Sequence, residues 1–458
     1  MRLRQGTAIA TVLSAVALAW PAGASAGGPP EEYVSFRSRG PGPSQLDRVW
    51  VNKIGPANPE RVLVLMPGTA GGAGDFTLAG RELVDRIPGL AVWAIDRRSQ
   101  PLEDTSVFEE LQAGDATLQE AFDYYLGWIV NGGTPADHFD FINPDDHGYA
   151  RRWGMRTALN DARVVVNRAR AGGRRDVWLG GHSLGASLSA AYAAWDFGGR
   201  PGYRGLAGIV LIDGGLLGSF DAFTLAEAQQ QIEDLETSSP FRELIGLDAP
   251  GATGLFAEIG GYFARLDPTG SAATLQSYPL LPDDFDPGIP VTNRALFGHA
   301  FDRDTAPDAL RLLHVNGGGL AAAGDPRDWD DGGITPVANL AETFGQEPAN
   351  AVEWYFPRRL TIDTNGANAM RMNPVARFLG LRLEHTREID LPVYAFQTDL
   401  TGGGVLRGAR ELIRRSDATW RRSALIEGAP EQSHLDPLAA APDDNEFLHT
   451  VERFIERG

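Results

Sequence analysis

The sequence predicts an α/β fold built on a mostly parallel sheet with crossover helices. Two observations carry this. Short apolar runs alternate along the chain with segments of helical periodicity, the pattern of strands joined by crossover helices. One of these runs, Asp176-Val177-Trp178-Leu179-Gly180, continues directly into Gly181-His182-Ser183-Leu184-Gly185 and then into the small-residue segment Ala186-Ser187-Leu188-Ser189-Ala190-Ala191. A strand, a tight Gly-x-Ser-x-Gly turn and a helix in immediate succession lift a serine hydroxyl clear of the sheet and aim the first free N–H groups of the helix at it. Ser183 is therefore a candidate nucleophile.

The elements follow in order. Tyr33 to Arg37 and Val49 to Lys53 alternate in polarity and are split by Gly40-Pro41-Gly42-Pro43, which predicts an opening hairpin. Val62 to Met66 is a continuous apolar run stopped by Pro67-Gly68, and Leu90 to Ile95 is another, stopped by Asp96. Leu159, Ala162, Val165, Val166 and Ala169 recur at helical spacing, predicting a helix from Thr157 to Arg170 that leads into the strand before Ser183. Ile209 to Ile212 ends at Asp213-Gly214-Gly215, Val393 to Phe396 follows much later, and Ser423 to Ile426 precedes the loop with His434. Glu446 to Arg457 has the periodicity of an amphipathic helix.

Two stretches interrupt the alternation. Pro101 to Tyr149 carries Phe108, Phe122, Tyr124, Tyr125, Trp128, Phe139 and Phe141, and it is far longer than an ordinary connection. Leu216 to Asp390, opening with a helical pattern from Phe223 to Leu235, is long enough for a subdomain. Both leave the sheet at its carboxyl edge, where open α/β sheets bind ligands, so both are candidate lids. The expected organisation is one core over 27–215 and 391–458, with the insertion 101–149 and a cap over 216–390.

Composition narrows the partners. With 458 residues, 43% hydrophobic and 22% charged, the chain can bury a sizeable core. A net charge of −19 argues against nucleic acid and against docking on anionic lipid, since both need a basic face. Arg2 and Arg4, the apolar stretch from Ala8 to Trp20 and then Ala24-Ser25-Ala26 have the three parts of an export signal. This predicts secretion with cleavage after Ala26. No later segment approaches the roughly 20 apolar residues of a spanning helix, so no stable membrane anchor is expected. The chain has no cysteine, which removes disulfides and thiolate metal sites together.

The order of strands, with Ser183 at its elbow, resembles the α/β-hydrolase fold, and within it the secreted bacterial lipase and esterase type. The resemblance covers Tyr33 to Gly215 and Leu391 to Gly458. It implies an eight-stranded, mostly parallel sheet with a cap between the sixth and seventh strands. It also implies a triad in the chain order Ser, acid, His. The matching residues are Ser183, Asp399 just beyond the strand ending at Phe396, and His434 in Gln432-Ser433-His434-Leu435-Asp436-Pro437. Asp213, at the end of the preceding strand, is the alternative acid, since some lipases take theirs from that place. Of the other histidines, His182 is expected to point away from the hydroxyl of its neighbour, and His449 falls within the final helix. The oxyanion hole is expected from the N–H groups of Leu184 and of Thr69, which follows Pro67-Gly68, with Ala70 as the competitor. His-Gly is the commoner family sequence there.

These residue types suit acyl transfer. A serine hydroxyl is a poor nucleophile until an imidazole accepts its proton, and a buried carboxylate fixes the imidazole tautomer. A small-molecule or lipid ester is the expected substrate, and a peptidase, an acyltransferase or a catalytically silent binding protein on the same fold are the alternatives. No cofactor or metal is expected. Gly68 to Gly74 does not match Gly-x-Gly-x-x-Gly and no Lys follows it, while the acidic loops Asp283 to Asp286 and Asp325 to Asp331 lack the spacing of a calcium-binding loop.

Overall fold

The computed structural model describes residues 28–133, 137–244 and 249–457. The expected export signal falls on residues outside these ranges. The described residues form ten strands: β1 (Glu31–Arg37), β2 (Arg48–Ile54), β3 (Arg61–Met66), β4 (Leu90–Asp96), β5 (Asp176–His182), β6 (Gly208–Ile212), β7 (Gly319–Gly324), β8 (Arg327–Asp330), β9 (Val393–Gln397) and β10 (Ala424–Glu427). Eight form one sheet in the order β1-β2-β4-β3-β5-β6-β9-β10, antiparallel at β1/β2 and β2/β4 and parallel elsewhere. All eight sheet strands coincide within two residues with the apolar runs of the sequence.

The side-chain period of two explains the layering. Val62, Val64 and Met66 face one side, where the helices Met155–Ala169, Leu184–Ala194 and Gly404–Arg415 pack. Leu63 and Leu65 face the other, against Leu83 of helix Thr77–Arg86 and Phe447, Val451 and Ile455 of helix Glu446–Arg457. Among the described residues no helix is long and apolar enough to cross a membrane.

The insertions divide differently from the sequence reading. Residues of the first insertion share a core with the middle of the second: the ring of Phe108 stacks on Tyr125 (4.1 Å) and on Tyr262 (5.1 Å), and Phe139 meets Trp354 edge-on (5.5 Å). The ends of the segment 216–390 behave otherwise. Leu216, Ala228 and Leu235, and then Phe356 to Leu391, pack into the core beneath the helices Met155–Ala169 and Leu184–Ala194. The hairpin β7–β8 was not legible, because Gly-Leu-Ala-Ala-Ala-Gly has neither alternation nor β-branched residues.

Register sets what meets at the carboxyl edge. Met66 pairs with Gly181, His182 with Ile212 and Ile212 with Phe396. The residues just past these strand ends, Gly68 and Thr69, Ser183, Asp213 and Thr398, are thereby brought side by side.

Candidate active site

Ser183 has φ 55° and ψ −121°, a conformation costly for a residue with a Cβ. Its neighbours impose it. A Cβ on Gly185 would overlap the carbonyl oxygen of Met66, and one on Gly214 would overlap that of Ser183 itself. The Ser183 N–H donates to Ile212 O (2.8 Å), which pins the elbow to β6. Leu184 opens the helix, so its N–H has no acceptor within it.

The residues around the elbow line a cavity of about 360 Å³ that contains Gly68, Thr69, Asp75, His182, Ser183 and His434, with Leu312, Leu313 and Phe344 above. His434 is buried. Its Nδ1 lies 2.6 Å from Asp213 Oδ2, and its Nε2 has no hydrogen-bond partner among the described residues. Since a carboxylate only accepts, Nδ1 carries the proton and Nε2 keeps its lone pair for the cavity. Asp213 in turn accepts the backbone N–H of Thr398 at Oδ1 (2.8 Å) and the Thr398 hydroxyl at Oδ2. Burial works against its charge, but the hydrogen bonds from His434 and Thr398 prevail and hold the carboxyl below its ordinary range.

The acid expected at Asp399 is not there. β9 ends so that Thr398 turns in to Asp213, and the next residue turns out: Asp399 is exposed, and its Oδ2 meets Arg303 Nη2 at 3.1 Å. The structure joins His434 to the alternative, Asp213. The ring of His182 is engaged by His434 and makes no hydrogen bond to the Ser183 hydroxyl among the described residues. It lines the cavity 4.3 Å from the ring of His434, and its Nε2 donates to His434 O (2.9 Å). Burial and the neighbouring imidazole push it down to about 3, so it is a neutral prop for the His434 loop. The His434 loop is tied further by Asp436, which accepts from Ser433 N (2.6 Å), Asn316 N (3.0 Å) and Thr335 Oγ1 (2.6 Å).

Arg97 was missed by sequence reasoning. Its guanidinium donates to Pro67 O (2.6 Å), Gly68 O (2.8 Å) and Gly71 O (3.1 Å), and it pairs with the buried Glu353 (2.6 Å). In a trans peptide the C=O of one residue and the N–H of the next point in opposite directions. Holding the Gly68 carbonyl therefore turns the Thr69 N–H away from Arg97, and Thr69 lines the cavity beside Ser183. Ala70, at φ 54°, instead gives its carbonyl to Glu353 N (2.9 Å). A lysine ammonium gathers its donors on one nitrogen where Arg97 uses a planar fork. Arg97→Lys is expected to lower kcat by about 10- to 100-fold through a loosened loop, with KM nearly unchanged, as steady-state kinetics on a p-nitrophenyl ester would show.

Among the described residues there is no group of three or more His, Asp or Glu suited to hold a metal ion. No protein-family model and no curated protein matches the sequence. Among solved structures, the chain is similar to one described as a candidate lipase from Sulfolobus solfataricus, at 12% identity over 93% of this chain and 94% of that one, with a TM-score of 0.51. It is also similar to a thioesterase domain from the curacin biosynthetic pathway (12% identity, 93% and 99% covered, TM-score 0.43). An epoxide hydrolase from Mycobacterium thermoresistibile aligns at 14% identity over 93% and 98%, with a TM-score of 0.42. With the strand order, the elbow after β5 and a likeness that spans nearly the whole chain, this protein has the α/β-hydrolase fold.

Proposed function

We propose that the chain is a serine hydrolase that cleaves carboxylic esters through an acyl-enzyme intermediate. The observation that carries the reading is the state of His434: Nδ1 is held by Asp213, while the unpartnered Nε2 belongs to the cavity shared with Ser183. Ser183 Oγ attacks the ester carbonyl carbon as its proton passes to Nε2. The oxygen that becomes negative is received by the N–H groups of Leu184 and Thr69. The intermediate collapses, the alkoxide leaves with the proton from Nε2, and a water repeats the sequence on the acyl-enzyme. The apolar side chains above the serine, Leu312, Leu313 and Phe344, favour a hydrophobic acyl or alcohol part. The test is labelling of the purified protein by a fluorophosphonate together with turnover of p-nitrophenyl esters. A protein that does neither is a silent binding fold.

Asp75 gives this reading a pH dependence. It lines the cavity, abuts Gly71 of the oxyanion loop, and has no hydrogen-bond partner among the described residues. Burial, reinforced by the Asp96 carboxyl and only partly offset by Arg97, holds it well above the carboxylate range. Its cavity neighbours His182 and His434 are the other titratable groups that face it. Below its folded pKa the carboxyl is neutral. Above it, a negative charge arises beside the place where the oxyanion forms. Ester turnover is therefore expected to fall on the alkaline side, and Asp75→Asn, neutral at every pH, is expected to abolish that fall. A kcat/KM profile against pH for the two proteins measures it.

A further inference from the structure

On the far side of Leu313 from Ser183 lies a second pocket, with about 800 Å³ of empty space. It is walled by Phe256, Phe285, Phe297, Phe301, Leu310 and Leu313, on the helices Ala252–Leu266 and Asn293–Phe301 and the turns Asp283–Phe285 and Asp308–Leu313. Thr253, Asn293 and the Tyr278 hydroxyl, which donates to Leu126 O (3.1 Å), are its polar members, and among the described residues no charged side chain lines it. The space exists because small residues stand where these helices face it: Ala257, Gly260 and Ala300.

Continuity with the catalytic cavity says what the pocket is for. Leu313 lines both spaces. Phe344, in the roof over Ser183, packs against Phe301 (ring centroids 4.7 Å apart) and Phe297 (5.9 Å), which wall the second pocket. The partition is thus a single layer of apolar side chains. One face is turned to the acyl carbonyl position and the other to an apolar chamber.

Resting on the ester-hydrolase reading, we propose that this chamber is the acyl subsite and that the substrates are esters of long unbranched fatty acids, whose chain passes Leu313 with the carbonyl at Ser183. A lining without charge suits hydrocarbon and penalises a charged or sugar acyl group, which would lose its hydration there. Each methylene that enters gains about fourfold in kcat/KM, the equivalent of the usual transfer energy of a buried CH₂.

The experiment compares p-nitrophenyl butyrate with p-nitrophenyl laurate on the wild type and on Ala257→Trp and Ala300→Trp. Both alanines are partly exposed in the pocket and touch none of the catalytic residues, so the added rings have the empty chamber to occupy. The wild type is expected to prefer laurate by about tenfold or more. Each variant is expected to lose that preference while butyrate turnover stays within about twofold and the thermal melt shows a folded protein. A laurate preference that survives in both variants, or a parallel loss on both esters, overturns the assignment. Binding of cis-parinaric acid to Ser183→Ala, with and without Ala300→Trp, reads the chamber without turnover, and equal binding by the two proteins overturns the assignment as well. Failure of the wild type to cleave either ester or to take the fluorophosphonate counts against the ester-hydrolase reading instead, and the parinarate comparison then decides the chamber by itself.

Discussion

Ser183→Ala is expected to lower kcat/KM for a p-nitrophenyl ester by about 10⁴-fold or more, leaving the residual rate to the oxyanion donors and binding. The size follows from the division of labour at the elbow. His434, Asp213 and the Leu184 N–H stay in place when Oγ goes, but none of them can form the acyl-enzyme bond. The fold has no reason to suffer. Alanine keeps the Cβ that already tolerates φ 55°, and no hydrogen bond of the Ser183 hydroxyl to another described residue is lost. Normal circular dichroism with loss of turnover and of fluorophosphonate labelling is the expected result. Retained turnover would remove Ser183 from the mechanism.

The second large effect separates the two carboxylates. Asp213→Asn keeps the shape of the side chain, but an amide presents an N–H as readily as an oxygen to His434 Nδ1. The imidazole then reverses its tautomer and carries its proton at Nε2, where Ser183 needs a lone pair. A loss of about 10⁴-fold in kcat is the expectation for such a change. Asp399→Asn breaks exposed ion pairs with Arg303 and Arg311, each worth about 0–1 kcal/mol, and should leave kcat within about twofold. Measuring both variants on one ester at one pH decides between them, and reversed sensitivities would return the acid to Asp399.

Why the sequence pointed first to Asp399 is instructive. Asp213 and Asp399 both follow apolar strands that end at the carboxyl edge, so local pattern treats them alike. What distinguishes them is a pairing 184 residues apart in the chain, Ile212 with Phe396, which sets Thr398 rather than Asp399 opposite Asp213. The signal that was present is the short sequence Asp213-Gly214-Gly215. Asp213 takes φ 41°, and Gly214 must pass against the Ser183 carbonyl, so glycine there marks a close approach to the nucleophile. The elbow, by contrast, was fully legible, because strand, glycines and small-residue helix are contiguous. Arg97 and Asp75 were not. Each acts on a loop or cavity whose other members come from distant strands, and an arginine after a strand is equally at home in solvent. The contact of His182 was not legible for a related reason: its neighbour along the chain is Ser183, but its partner in space is the carbonyl of His434.

The shared core of the two insertions bears on the order in which the molecule can be made. Phe108 and Tyr125 precede the nucleophile in the chain, whereas Tyr262, on which Phe108 stacks, and Trp354, which both meet edge-on, come well after it, and His434 is later still. The roof over the serine therefore has no contiguous stretch of sequence from which to assemble, and its closure waits on contacts of long sequence separation, which form slowly. A growing or refolding chain can pair β3 with β5 and carry Ser183 while the base that activates it has yet to arrive. Ester turnover is, on this account, a reporter of completed folding, one that lights up only when both ends of the molecule have met.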